Sequence, residues 1–320
     1  MTGALRITAK AACYPPVHNS GAEWMLHPML AALAARGHAV QVHLSRPEPA
    51  HRQPRELDGV RVYPDGTHPV IPRPDVYVSQ LRDVPVTAAR ARGYGVPLVV
   101  IQHGTLHPVP RDRVAANPAL TVFNSQWMME QSGSPERSIV IHPPVVAETY
   151  QTDPGDLVTM VNLTGPKGAG LFWEVAGRMP ETGFLAVRGW YAEQDIRDLP
   201  NVTVLEHLDG RLMRDQVYAR TRILLVPSGY ESWGRVATEA MCSGIPVIAH
   251  KAEGGLAENL GDAAIWADRD DPEEWVRQIR RLAEPEAWAQ ASQACRERFA
   301  GLDPAADLER WCGAVEALRP

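Results

Sequence analysis

Short apolar runs alternate with segments whose apolar positions recur at helical spacing along most of the chain. Residues 5–12 read as a strand, ended by Tyr14-Pro15-Pro16. Residues 23–36 carry Trp24, Leu26, Met29, Leu30 and Leu33 on one helical face, and Gly37 closes that helix. Strands are expected at 40–44, 60–63, 76–79, 120–124 and 139–142, with helices at 86–92 and 126–131. Residues 97–103 form a continuous apolar run, the mark of a strand buried on both faces. Pro143-Pro144 and the polar run 148–155 break the pattern and predict a linker.

The rhythm then restarts. It predicts strands at 157–163, 184–187, 202–205, 223–227 and 246–249. Helices are expected at 168–178, 211–220, 236–243, 272–283, 286–300 and 304–317. Strand, helix, strand in this order implies βαβ units and parallel sheets. The predicted fold class is α/β, with two doubly wound domains of similar size. Ligands of such folds sit at the carboxyl ends of strands, and the cleft between two such domains is the default site. There is no short-period repeat and no low-complexity segment.

Composition narrows the classes. The 320 residues are 45% apolar and 22% charged, which suits a globular protein of two domains. A net charge of −6 argues against a surface that coats nucleic acid or anionic membrane as a whole. No stretch approaches the ~20 apolar residues of a spanning helix, and the first ten residues lack a signal-peptide pattern. Cys13, Cys242, Cys295 and Cys312 form no CxxC pair. A reduced, cytoplasmic setting without a zinc site is therefore expected. No GxGxxG follows the first strand, which disfavours a nicotinamide dehydrogenase.

The chemistry concentrates in residues 227–264. Glu231 falls in the loop after one strand, Gly234 near the start of the next helix, and Glu239 on that helix. A helix start with a glycine offers bare amides and a positive dipole end, which suits a phosphate. Carboxylates accept from neighbouring sugar hydroxyls. Two acids flanking such a helix start are shaped for a sugar attached to a diphosphate, although acids at this spacing also occur as unrelated surface residues.

The surrounding string resembles the family 4 glycosyltransferases of the GT-B fold. Their signature is a proline-serine strand end, E-x-F-G, a second E with A-M-A-x-G-x-P-V-I-A, and a later G-G-x-x-E. Here it stands as Pro227-Ser228, then Glu231-Ser232-Trp233-Gly234, then a stretch from Glu239 to Ala249, and Gly254-Gly255-Leu256-Ala257-Glu258. Trp233 replaces the usual Phe and Cys242 the usual Ala. Ser20-Gly21, Gln102-His103-Gly104 and Lys167-Gly168 resemble further family features. One departure is Asn162, which stands where the family usually has an arginine on the diphosphate.

The resemblance implies an acceptor-side Rossmann-like domain at 1–150, a donor domain at 151–302, and a terminal helix at 303–320 returning to the first domain. It implies a retaining, metal-independent transfer of a hexose or related sugar from a nucleoside-diphosphate sugar, with UDP favoured over GDP. Lys167 is then expected on the leaving diphosphate, Glu239 on the ribose and Glu231 on the transferred sugar. His103 would face the donor sugar and belong to the catalytic centre. Gly21, Trp233, Gly234 and Val236 would line the donor, and Leu208 would lie where the backbone meets the base. Arg235 or Arg188 is expected to supply the charge that Asn162 lacks. A sugar-nucleotide-binding protein without catalysis, and a transferase acting on a macromolecule such as modified DNA, are the alternatives.

Against that division the charge reads differently. Residues 1–150 hold 14 basic and 11 acidic residues and nine of the eleven histidines; residues 151–320 hold 18 and 27. A weakly basic acceptor half joined to an acidic donor half suits plain surface solubility or, as the other reading, an acceptor that carries negative charge, phosphate or nucleic acid included.

Overall fold

The computed structural model describes residues 3–16, 19–46, 53–64, 73–104, 110–251 and 253–319. The chain forms two compact units, Met1–Pro144 with Pro304–Pro320, and Val145–Asp303. Each is built on a parallel sheet with helices on both faces, the two Rossmann-like layers expected from the sequence.

The first unit contains β1 (Arg6–Ala11), β2 (Ala39–Leu44), β3 (Arg55–Leu57), β4 (Val60–Tyr63), β5 (Val76–Gln80), β6 (Leu98–Gln102), β7 (Leu120–Phe123) and β8 (Ser138–Val140). Their order is β3-β4-β2-β1-β5-β6-β7-β8, and only β3 runs antiparallel. Chain order reverses between β1 and β5, which makes their carboxyl ends the switch point where ligands bind in such sheets. Both faces of the central strands are apolar. Ile7, Val78, Val99 and Ile101 pack with Met25, Leu30 and Leu33 of the helix Gly21–Ala35, while Tyr77, Leu98 and Val100 pack on the opposite side. The helix Pro304–Glu316 adds Trp311, Cys312 and Val315 to the first of these layers. Trp311 is fully buried and its Nε1 donates to the carbonyl of Met29 at 2.7 Å.

The second unit contains β9 (Leu157–Val161), β10 (Phe184–Val187), β11 (Val202–Leu205), β12 (Thr221–Val226), β13 (Tyr230–Glu231), β14 (Val247–Ala249), β15 (Glu253–Gly254) and β16 (Ile265–Trp266). The main sheet runs β11-β10-β9-β12-β14-β16, all parallel, with its switch point between β9 and β12. Val187, Leu224 and Val226 face one apolar layer, and Met160, Phe184 and Leu225 face the other. A separate two-stranded ladder pairs Tyr230 with Glu253 and Glu231 with Gly254.

Three local expectations differ. The stretch 148–155 is not a plain linker, because the helix Ala147–Tyr150 lies there and seats Tyr150 in the core. The expected helix at 211–220 is instead a series of short turns, Gly210–Leu212, Met213–Gln216 and Tyr218–Arg220, in which Met213, Val217 and Tyr218 are buried. The third difference is an addition: β3, which pairs antiparallel with the expected strand β4, and the helix Pro110–Ala116 were not expected. Residues 47–52, 65–72 and 105–109, with His51, His68 and His107, lie outside the described residues, as do Val17 and His18. All four cysteines are buried. Among the described residues no helix is long and apolar enough to cross a membrane.

Candidate functional site

In the second unit the loops leaving β9 and β12 meet at the switch point. The β9 loop passes Asn162 and makes a 3-10 turn over Gly165–Lys167. It then enters the helix Ala169–Arg178 through Gly168, which has φ of +91°. A side chain on Gly168 would come within 2.7 Å of Pro227 at the end of β12. Glycine is therefore what lets the two loops pack, and the amide of Gly229 closes the contact by donating to the Pro166 carbonyl at 3.1 Å.

This packing brings Lys167 to Glu231. Lys167 Nζ donates to Glu231 Oε1 at 2.5 Å, and Ser228 Oγ donates to the same oxygen at 2.8 Å. Both side chains are largely enclosed, at 25% and 12% exposed. Burial opposes the charge on Lys167, but Glu231 beside it, and Tyr191 further off, hold its ammonium above its usual range. Among the described residues Glu231 Oε2 has no donor from the protein. Glu231 itself is held by the β13–β15 ladder, where Gly254 has φ of +126° and any Cβ would collide with the Glu231 carbonyl oxygen.

Gly234, with φ of +80°, opens the helix Arg235–Cys242 and lies against Glu231, whose Cβ and Cγ would be 3.8 Å from a Cβ placed on it. Asn259 Nδ2 donates to the carbonyls of Trp233 and Gly234 at 2.9 and 3.1 Å and so fixes this helix start. Trp233 is buried, with its Nε1 donating to Thr238 Oγ1 at 3.2 Å. Val236 and Leu208 are half-buried and pack against the apolar layer of this unit.

Glu239 is turned into a second polar cluster. It is 4% exposed; its Oε1 accepts from Arg235 Nη1 and its Oε2 from the Tyr218 hydroxyl at 2.5 Å. Arg235 also donates to the Tyr150 hydroxyl at 3.1 Å and stacks over that ring at 5.1 Å. Burial pushes the Glu239 carboxyl above its usual range, with Arg235 and Tyr218 pulling against it.

The two arginines expected to replace the missing diphosphate charge both have carboxylate partners. Arg235 is committed to Glu239, and Arg188 to the exposed Glu206 at 3.0 Å, on neighbouring strand ends. Asn162 has φ of +73°, and its side chain lies against Gly189. The site also holds residues that were not expected there: Ser228 as a partner of Glu231, and Tyr218 and Tyr150 around Glu239. Ser228 stands in the proline-serine strand end, a usable signal; the tyrosines carry none.

The first unit has its own polar cluster at its strand ends. His103, just after β6, lies with Nε2 2.7 Å from Oε1 of Gln80 at the end of β5, and its carbonyl accepts from Asn124 Nδ2 at 3.4 Å. Burial drives the His103 imidazole down to about 4, so it is neutral at physiological pH. Glu23 takes the Ser20 hydroxyl, and Asp83 accepts from Ser45 at 3.0 Å. Burial raises both carboxyl groups. A Cβ on Gly21 would meet nothing within 4 Å, so local packing does not demand glycine there.

Comparisons agree with this architecture. Residues 197–298 match the family profile described as Glycosyl transferases group 1. A D-inositol 3-phosphate glycosyltransferase of Corynebacterium kroppenstedtii is 32% identical over 143 residues, 43% of this chain and 28% of that protein. The chain thus spans under a third of that relative's length in the match. The sucrose-phosphate synthase structure from Thermosynechococcus elongatus superposes with a TM-score of 0.81 over 98% of both chains at 16% identity. The catalytic domain of starch synthase IV from Arabidopsis thaliana, bound to ADP and acarbose, gives a TM-score of 0.70 over 98% of this chain and 100% of that one at 13% identity. The chain resembles glycosyltransferases of the GT-B fold, and its fold is of that kind.

Proposed function

We propose that the chain is a retaining glycosyltransferase that moves a hexose or related sugar from a nucleoside-diphosphate sugar, UDP favoured over GDP, to an acceptor. The observation that carries this reading is the Lys167–Glu231 pair at the switch point of the second sheet. An ammonium has three donors and Glu231 uses one of them, so Lys167 can hold Glu231 and a phosphate oxygen together. Glu231 Oε2 then accepts from hydroxyls of the transferred sugar. The start of the helix Arg235–Cys242 lies beside this pair and adds amides and a positive dipole end for the diphosphate. Charge on the leaving diphosphate is thus met by protein groups, which is what a metal-independent transfer needs. Glu239 binds the ribose hydroxyls.

The acceptor is a small molecule carrying negative charge. The net positive charge of residues 1–150 supports this. The name of the inositol-phosphate relative gives a precedent for an anionic polyol.

Thermal unfolding in the presence of UDP-, GDP-, ADP- and dTDP-sugars tests the reading, with donor hydrolysis followed in parallel. A rise in Tm with one donor and slow release of its sugar is the expected result. A rise in Tm without release, with or without candidate acceptors, would favour a binding protein. The absence of any shift would remove the proposal.

A further inference from the structure

The cluster around Glu239 is costly unless it serves something. Arg235 and Glu239 are 9% and 4% exposed, and they sit among side chains such as Ala237, Ala240 and Met241. Burying an ion pair is a weak way to stabilise a fold, because losing the hydration of two charges offsets most of their attraction. What the arrangement does achieve is orientation. Glu239 is gripped on both oxygens, by Arg235 from one turn earlier in the same helix and by Tyr218 from the turn Tyr218–Arg220. Arg235 is fixed in turn by the hydroxyl and ring face of Tyr150, and the Tyr150 and Tyr218 rings meet edge to face at 6.2 Å.

A carboxylate offers about four acceptor positions, two on each oxygen. Among the described residues the protein fills one on each, which leaves one on each. That is the pattern a vicinal diol needs, with two neighbouring hydroxyls donating to two oxygens of one planar group. We infer that Arg235 and Tyr218 are positioning residues that hold Glu239 as a fixed receptor for a ribose diol, so that they set the preference for ribonucleotides over deoxyribonucleotides. This rests on Glu239 being the ribose ligand of the proposed function. It gives Arg235 a task other than the diphosphate.

The groups that face Glu239 separate its titration from theirs. Burial pushes Tyr150 up to about 12 and Tyr218 well above its usual value. Burial likewise takes the Cys242 thiol, further along the same helix, to about 11. All three stay neutral between pH 6 and 8.5, and Arg235 stays charged. Removing Arg235 or the Tyr218 hydroxyl leaves burial less opposed at Glu239, which favours its protonated form. A protonated carboxyl loses acceptor capacity, and a higher pH restores it.

The test is calorimetric titration with UDP and with 2′-deoxy-UDP at pH 6 and 8.5, for the parent protein, Arg235→Gln, Arg235→Lys and Tyr218→Phe. The parent should prefer the ribonucleotide by about tenfold or more, the size of a hydrogen bond to a charged group. Arg235→Gln and Tyr218→Phe should shrink that preference several-fold at pH 6 and recover part of it at pH 8.5, with Arg235→Lys between them and the parent. Should Arg235→Gln not fold, the mild Tyr218→Phe change decides. Equal weakening of both nucleotides, with an unchanged ratio at both pH values, would overturn the inference and leave the proposed function standing. A parent protein that binds neither UDP nor any other nucleoside diphosphate overturns the proposed function itself.

Discussion

Lys167 Nζ lies 2.5 Å from Glu231 Oε1, although 64 residues separate them in the chain. The pair closes the two loops of the switch point on each other and combines a cation with an acceptor in one enclosed spot. Replacing Lys167 by Ala should lower turnover by about 100-fold or more, because a single donor aimed at developing charge contributes on that scale. Glu231→Gln keeps the shape but not the charge. It should retain nucleoside-diphosphate binding and lose the sugar step, read by comparing the binding of UDP and of the sugar nucleotide with donor turnover. If Lys167→Ala turns over at the parent rate, Lys167 is only a structural partner of Glu231.

The two-stranded ladder under Glu231 makes a sharper mechanical prediction. Gly254 holds φ of +126° with no room for a Cβ against the Glu231 carbonyl. Gly254→Ala should break the ladder and shift Glu231. Strain alone should cost about 1–3 kcal/mol. A fall in Tm together with a loss of sugar-dependent turnover is the expected outcome. An alanine variant with parental Tm would mean that the ladder yields without consequence.

His103 gives a pH signature whose sign is fixed. Burial lowers its folded-state value to about 4, against about 6.5 in the unfolded chain. The unfolded state therefore binds more protons between these values. The His103 contribution to stability is complete above pH 6.5 and is lost progressively as pH falls towards 4. Tm measured across pH 4–8 should decline less steeply on the acid side for His103→Gln than for the parent. Parallel curves would show that His103 is not held neutral by the fold.

The helix Pro304–Glu316 belongs to the first unit although it follows the second in the chain. Trp311 donates to Met29, and Asp307 accepts from both the amide and Nδ1 of His142 at 3.0 Å. Trp311→Ala should destabilise the first unit by about 3–5 kcal/mol, the usual range for a buried tryptophan. Differential scanning calorimetry should show a low-temperature transition split away from that of the second unit. One unchanged transition would contradict this placement.

The βαβ rhythm was legible because most strands are short apolar runs bounded by turn residues, as Leu98–Gln102 and Thr221–Val226 illustrate. The two-residue strands β13, β15 and β16 were not, since no periodicity can be read from two positions. The site divides in the same way. The pattern of strand and helix placed Glu239 on the helix after β12, where it stands, and Glu231 in the loop before it, where the two-residue strand β13 holds it instead. What that pattern could not reveal is that the two carboxylates keep different company. Glu231 is partnered by a lysine from the β9 loop, and Glu239 by an arginine one turn back and a tyrosine from a motif-free turn. Such partnerships are set by which strand ends the topology makes neighbours.

Asn162 stands where the resembled family carries an arginine, and the backbone explains why a simple restoration should fail. Its φ of +73° is left-handed, a region that asparagine tolerates and longer side chains resist by about 1–2 kcal/mol. Its carboxamide also packs against Gly189, and its amide donates to the Val187 carbonyl at 2.8 Å. A guanidinium would have to leave that spot. Asn162→Arg should therefore lower Tm and bring no gain in UDP affinity, whereas Asn162→Gly keeps the turn because glycine is free at positive φ. Calorimetric titration of both variants with UDP, alongside their thermal unfolding, makes the comparison. An arginine variant that is as stable as the parent and binds UDP more tightly would show that the site accepts a second cation, and that charge rather than backbone geometry limits the diphosphate grip.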